Sequence, residues 1–468
     1  MDDQLYMLDG LREPVRLAAG LGDDKLLDAA AWQRGLSCLQ KFGERLRGLP
    51  RESVRAVGTN TLRVAKNAPE FLEQAEAALG FPIEIIAGRE EARLIYLGVA
   101  QALPRTHERR LVMDIGGGST EFIIGQGMQP SLLESLYMGC VSFSTRFFPD
   151  GRISKSSLKQ AELAAEAELE TIAAAYKRSG WDVALGSSGT ARVISDMLEQ
   201  NGYSEGGITL AGLEKLRAQL LKAGDVGQLR LPGLKAERIP VLPGGFAILY
   251  SAIRVLGIER MQPALGALRE GVLYDLLGRY TDNDMREATV QQFMRRYHVA
   301  PRQAQRVAEL SCQLASAFLA GQQGEDALRE LRWAALLHEI GISVAHSGYH
   351  KHGAYILANA DMPGFSRKEQ ARLSLLVLAQ RGGLEKLKTE LKTEIETAQV
   401  MALRLAVIFY RNRSGVALPP LHVRFSGTKF YLNIPADWLA QNPLTETVLL
   451  EEARQWKALN VSVQLGAA

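Results

Sequence analysis

The sequence predicts an α/β core followed by a helical domain and a small α+β tail. Three observations predict it. Short apolar runs alternate with amphipathic stretches through about residue 283, the pattern of strands interleaved with helices. A glycine cluster divides two apolar runs in RRLVMDIGGGSTEFIIG (109–125). From about residue 284 to 413 helical periodicity takes over. The domains expected are 1–97 and 98–283 within the core, 284–415 for the helices and 416–468 for the tail.

In chain order, an alternating pattern over 4–17 predicts a strand, and a helix follows over 26–49. Residues 53–57 predict the next strand, GTNTLR (58–63) a turn into a helix ending near Leu79, and PIEII (82–86) a third strand. Gly88 opens the helix REEARLIYLGVAQAL. The glycine cluster makes 111–113 and 122–124 a hairpin, and 132–136 another strand. A long helix over 156–176 comes next, then a strand, turn and helix at 183–198 on GSSGT. A similar unit surrounds GALREGVLYDLLG (266–278). Two strand-rich halves, each with a glycine loop, suggest an internal duplication. Helical patterns at 300–319 and 327–337 typify the third part, and Pro419 and Pro420 mark the start of the tail.

Composition narrows the function class. In 468 residues, 47% are hydrophobic and 23% charged, ordinary for a globular protein. The opening MDDQLYMLDG lacks the basic and apolar regions of a signal peptide. No apolar run is read as reaching the ~18 residues of a membrane span. Cys38, Cys140 and Cys312 are too few and too scattered for a disulfide framework or a zinc site. A cytoplasmic protein, peripheral membrane attachment included, is expected. The net charge of +3 suits a polyanionic partner and gives no sign of a specific nucleic acid.

The chemistry concentrates in the central loop. Consecutive Gly116, Gly117 and Gly118 expose backbone N–H groups, and with the hydroxyls of Ser119 and Thr120 they make a concave donor set for phosphate oxygens. Asp114 and Glu121, one at each end, could share a divalent cation with those oxygens. A tight hairpin whose glycines only satisfy turn geometry is the plainer alternative. Glu90 and Glu91 open the helix after Gly88, where carboxylates complement the macrodipole; alternatively one of them is a general base for water attacking phosphorus. Arg63 follows a strand end, as a phosphate clamp or a surface arginine. Gly186, Ser187, Ser188 and Gly189 form a second turn of amides and hydroxyls entering a helix. Cys140, in MGCVSF, reads as a small buried residue. In the helical part His338–Glu339, His346, His350 and His352 invite a metal reading. They resemble an HD-type phosphohydrolase core, but Glu339 replaces the paired Asp and Val407 stands where a later Asp belongs. A degenerate, structural HD-like domain is the expectation.

Taken together, GTNTLR, IIAGREEARLIYLGV, LVMDIGGGSTEFIIG, MGCVSF, GSSGT, GALREGVLY and HSGYHKHGAYIL resemble the exopolyphosphatase / guanosine pentaphosphate phosphatase family over essentially the whole chain. The resemblance implies an actin-like, ribonuclease-H-like pair of domains, then an HD-like helical domain and a small C-terminal domain. It implies Mg²⁺-dependent release of terminal phosphate from inorganic polyphosphate, with guanosine pentaphosphate as the rival substrate, by a homodimer. Glu91 matches the family's general base. Asp114 and Glu121 match residues tied to metal and phosphate, Ser119 and the loop glycines the phosphate cradle, and Arg63 a phosphate contact. The family opens with a strand and a first phosphate loop of the form Asp-Leu-Gly-Ser-Asn-Ser, whereas MDDQLYML matches only the region after it. That departure predicts weak hydrolysis, or binding alone, until such a segment is restored.

Overall fold

The computed structural model describes residues 10–104, 106–279, 284–317, 319, 322–413, 418–426 and 428–467. They divide into two compact units, Met1–Asp284 and Met285–Ala468. In the first unit β1 (Ala56–Gly58) and β2 (Ile83–Ile85) pair in parallel. Five more strands form a second sheet among the described residues. β3 (Arg109–Ile115), β4 (Thr120–Gln126) and β5 (Gln129–Leu136) run antiparallel, while β6 (Val183–Gly186) and β7 (Met261–Pro263) join in parallel. The order β5-β4-β3-β6-β7 is that of the ribonuclease-H-like half expected.

Burial on both faces explains why β3 and β4 read as continuous apolar runs rather than as alternation. Val112 and Ile123 face the helix Gly88–Gln101, which lays Ile95, Tyr96 and Val99 on them. Leu111, Met113, Phe122 and Ile124 face the opposite way, into a core shared with the helices Lys155–Ser179 and Leu242–Leu256. Each such aliphatic or aromatic side chain contributes roughly 1.5–3 kcal/mol on burial. One apolar run does reach spanning length, contrary to the sequence reading: Ala236–Leu256, with a mean hydropathy of 1.6. It is 78% buried inside this unit, because its side chains form the sheet's core.

Two other expectations shift. Residues 4–9 of the strand read over 4–17 lie outside the described residues, and 10–16 carry no regular structure ahead of the 3-10 turn Leu17–Gly20. The helix read after GTNTLR is two helices, Asn60–Val64 and Ala68–Leu79. The break falls where the Asn67 side chain pairs with the backbone of Leu27 and where Pro69, which has no N–H to donate, suits a new first turn.

In the second unit Pro301–Ser316, Gln322–Leu336, Arg367–Ala379 and Glu394–Phe409 pack around Leu331, Trp333, Val377 and Leu403. The tail supplies β8 (His422–Ser426), β9 (Lys429–Ile434) and β10 (Ser462–Ala467), ordered β10-β9-β8. Phe430, Leu432 and Ile434 of β9 alternate inward into the same core as the helices. The prolines at 419 and 420 therefore mark a change of secondary structure inside one hydrophobic core.

Candidate active site

The site forms where strand ends meet. β3 and β6 are parallel neighbours, with Met113 opposite Gly186, so the residues just beyond, Asp114 and Ser187, lie side by side. The Ser187 hydroxyl donates to Asp114 Oδ2 at 2.5 Å. Across the hairpin Asp114 stands directly opposite Glu121. Strand periodicity puts both carboxylates on the face of Val112 and Ile123, the face the Gly88–Gln101 helix covers. That helix begins at the carboxyl end of β2, so its first turn delivers Glu91 to the same place.

Glu91 is buried and accepts from Arg63 Nη1 at 2.8 Å and from the Thr59 hydroxyl. Arg63 also donates to the Ile86 carbonyl at 2.9 Å. The guanidinium thus grips the Glu91 carboxylate. Burial pushes the Glu91 carboxyl above its usual range, Arg63 and Thr59 oppose that, and the Asp114 charge adds to it. Asp114 is raised by burial, against Ser187 and Arg192. Glu121, 1% exposed, is raised well above its usual value by burial and then by the charges of Glu91 and Asp114; hydrogen bonds from Ser135 and Ser119 offset only part. Ser135 faces Glu121 in the β4–β5 register and donates to it at 2.7 Å. Asp114 raises Glu91, and both raise Glu121, so a divalent cation on the facing pair Asp114 and Glu121 would relieve that repulsion. Among the described residues no group of three or more acidic, histidine or cysteine side chains converges as a metal site.

The glycine loop is held from behind. Gly116 N–H donates to the Ser119 carbonyl at 2.9 Å, closing the turn. The helix Cys140–Phe147 uses its first amides on the loop: Cys140 N–H donates to the Gly116 carbonyl at 2.9 Å, and Val141 N–H to that of Gly117 at 3.0 Å. Gly139 sits so close to Gly117 and Gly118 that any Cβ there would overlap their backbone. The carbonyls of Gly116, Gly117 and Ser119 are thus taken. The Gly117 and Gly118 N–H groups have no acceptor among the described residues. Unpaired backbone amides of this kind are able to donate to a phosphate oxygen.

Other expected residues divide. Ser188 caps the helix Gly189–Gln200, accepting from Ala191 N–H at 3.1 Å, so the amides of its first turn face the cleft with Gly189. Gly186 is a packing glycine, buried in β6 where a Cβ would meet Ala191. Thr120 points to the opposite face from Glu121, fully buried, and its hydroxyl donates to the Met138 carbonyl at 2.5 Å. Its hydroxyl is thereby a strut under the loop. Cys140 lies in the cleft wall, buried, its thiol raised by burial.

A cleft of about 590 Å³ spreads from the glycine loop and the Ser187–Gly189 turn. Arg12, Arg16, Arg192, Arg238 and Arg269 line it, with Pro14, Val15, Val141, Val241 and Leu265. The sequence reading missed these arginines and missed Thr59, Asn60 and Ser135. Thr59 and Asn60 stand beside Arg63 in GTNTLR, and the match between the turns after β1 and β6 was the signal available.

In the helical unit the histidines do not converge. His338 is buried with Nδ1 at 2.6 Å from the Ala335 carbonyl, and Glu339 takes a two-pronged bond from Arg413 at 2.7 and 3.0 Å. His350 is buried, His352 half-buried and His346 exposed. Val407 packs on the core. These side chains are used in packing and ion pairing.

Comparison with known proteins follows the same division. Residues 2–280 match the Ppx/GppA phosphatase family, and residues 285–453 match domain III of Ppx/GppA phosphatases. A solved exopolyphosphatase-like protein is 21% identical, covering 57% of this chain and 90% of that one, with a TM-score of 0.51. An exopolyphosphatase from Cytophaga hutchinsonii is 25% identical over 56% of this chain and 88% of that one, TM-score 0.49. The Aquifex aeolicus member of the Ppx/GppA family is 24% identical over 57% and 88%, TM-score 0.45. The first of these shares the actin-like fold, and the family match spans more than half of the chain. The chain belongs to the Ppx/GppA phosphatase family, enzymes that hydrolyse phosphoanhydrides.

Proposed function

We propose that this phosphatase releases the terminal phosphate of inorganic polyphosphate by in-line attack of a water that Glu91 deprotonates. The observation that carries the reading is the juxtaposition of a buried carboxylate, held by Arg63 and Thr59, with a loop whose amides await an anion. Burial raises the proton affinity of Glu91 above the usual carboxylate range, which makes it a stronger base. The Gly117 and Gly118 amides take the oxygens of the terminal phosphoryl group, aided by the first turn of the helix that Ser188 caps, while Ser187 holds Asp114. As the water oxygen bonds to phosphorus, its proton passes to Glu91, the bridging P–O bond breaks, and the shortened chain leaves on that oxygen. Asp114 and Glu121 would hold Mg²⁺, which when bound neutralises charge on the transferring phosphoryl group.

The cleft supports a linear polyanion. Its arginines offer planar, permanently charged donors to successive phosphates. The remaining walls are proline, aliphatic, serine and cysteine side chains with the carboxylates of Glu13, Asp114, Glu237 and Glu270. No aromatic ring among the described residues lines the cleft, whereas a purine ring gains most from stacking on an aromatic face. The test compares kcat/KM for long-chain polyphosphate with that for guanosine pentaphosphate, both with Mg²⁺. Polyphosphate should be preferred by about tenfold or more, equivalent to roughly 1.4 kcal/mol. A preference for guanosine pentaphosphate would contradict this substrate choice.

A further inference from the structure

One side chain at the site lies outside every role assigned above. Asn60 opens the helix Asn60–Val64 at the end of β1, directly after the Thr59 whose hydroxyl bonds Glu91. It is 9% exposed, and its amide sits against Gly118: a Cβ on that glycine would collide with Asn60 Nδ2. Asn60 Oδ1 is buried and has no hydrogen-bond partner. An unpaired buried amide oxygen costs about 1–3 kcal/mol, so a bound donor at this spot is stabilising. Which donor follows from chemistry. The oxygens of an ionised polyphosphate only accept, and so do Glu91, Asp114 and Glu121 as carboxylates. The loop amides point to substrate. Water is the group in this reaction with an O–H to give.

The geometry points to Asn60 as the second anchor of the attacking water: its side-chain carbonyl accepts one O–H while Glu91 takes the other proton. Two acceptors fix the direction of the oxygen lone pair, which one acceptor leaves free to swing. The sequence supports the pairing, since Thr59 and Asn60 are consecutive, the first bonded to Glu91 and the second set against Gly118. This inference rests on the hydrolase reading proposed above.

The experiment measures phosphate release by the full chain, wild type, Asn60→Ala and Asn60→Ser, with thermal melts to verify folding. Each is run against polyphosphate, Mg²⁺ and inorganic phosphate as product inhibitor. In Asn60→Ala, kcat should fall about 10- to 100-fold. KM, the phosphate Ki and the Mg²⁺ concentration for half-activity should stay within about twofold, because the variant removes an anchor for water alone. Asn60→Ser, whose hydroxyl can also accept, should recover part of kcat. A rise in KM and Ki at unchanged kcat would overturn the inference and make Asn60 a prop for Gly118. A raised Mg²⁺ requirement would overturn it in favour of a cation ligand, and an unchanged kcat would overturn it outright. Wild-type protein that releases no phosphate would instead remove the hydrolase reading, and this inference with it.

Discussion

Glu91 and its neighbours show how a site is set by which side chains share a face. Asp114 and Glu121 could be named from the glycine loop alone, and Glu91 from its place in the first turn of a helix. What brings them together is strand periodicity: both loop acids project toward the helix that carries Glu91, while Thr120 projects away. The same two-residue alternation could have removed Thr120 from the donor set, since it falls in phase with Phe122 and Ile124. Ser135 was illegible because its bond to Glu121 depends on the β4–β5 register. The electrostatics give a prediction. Burial, the largest influence on Glu91, pushes its carboxyl up, and Arg63 opposes this. A base works only when deprotonated, so activity should drop as the pH falls through a value above the usual carboxylate range. Replacing Arg63 with Ala removes an opposing charge, so the acid limb should move to higher pH. A kcat–pH profile checks this, and a limb that stays put or moves down would contradict it.

The two helices that frame the site explain how Glu91 is held while Glu90, its neighbour, is taken up by an ion pair with Arg93. Gly88–Gln101 and Leu268–Gly278 pack with their backbones nearly touching: a Cβ on Gly98 would meet the Ala267 carbonyl, and one on Gly271 the carbonyl of Leu94. A buried ion network seals the crossing. Arg93 bonds Glu90 at 2.7 Å and Asp275 at 2.5 Å, and Arg55 beside β1 bonds Asp275 at 2.5 Å. Burial alone would raise the Asp275 carboxyl, but Arg93 and Arg55 outweigh it and hold it below its usual value. Asp275→Ala leaves two buried guanidiniums under-paired and should lower stability by about 3–5 kcal/mol, read as the urea midpoint at neutral pH. A carboxylate depressed in the native state stabilises above its unfolded pKa and loses that effect as the pH falls. The deficit should therefore shrink in acid. A deficit below about 1 kcal/mol, or one that grows in acid, would contradict the network's role. The sequence showed both helices and both glycine-bearing turns; it could not show that Asp275 and Arg93, 182 residues apart, would meet.

Across the first unit the duplication suggested by the sequence has a structural counterpart in the parallel strand pairs. β1 ends in Gly58-Thr59-Asn60 and β6 in Gly186-Ser187-Ser188, each leading into a helix. β2 and β7 are likewise each followed by one of the two crossing helices. The repeat is faint in sequence because the backbone path is kept while the side chains serve different ends: Thr59 bonds Glu91, Ser187 bonds Asp114. In the second unit helical periodicity made the fold legible, whereas the merging of the tail strands into the helical core was not, because a proline pair looks the same at a domain boundary and within one core. All the chemistry proposed here lies in the first unit and turns on one carboxylate. The measurement that tests it most directly is phosphate release from long-chain polyphosphate with Mg²⁺, wild type against Glu91→Gln, with polyphosphate binding followed in parallel. The account predicts release by the wild type, a loss of about 10²- to 10⁴-fold in the variant, and binding retained in both. Equal release by the two proteins, or binding without release by the wild type, would contradict it.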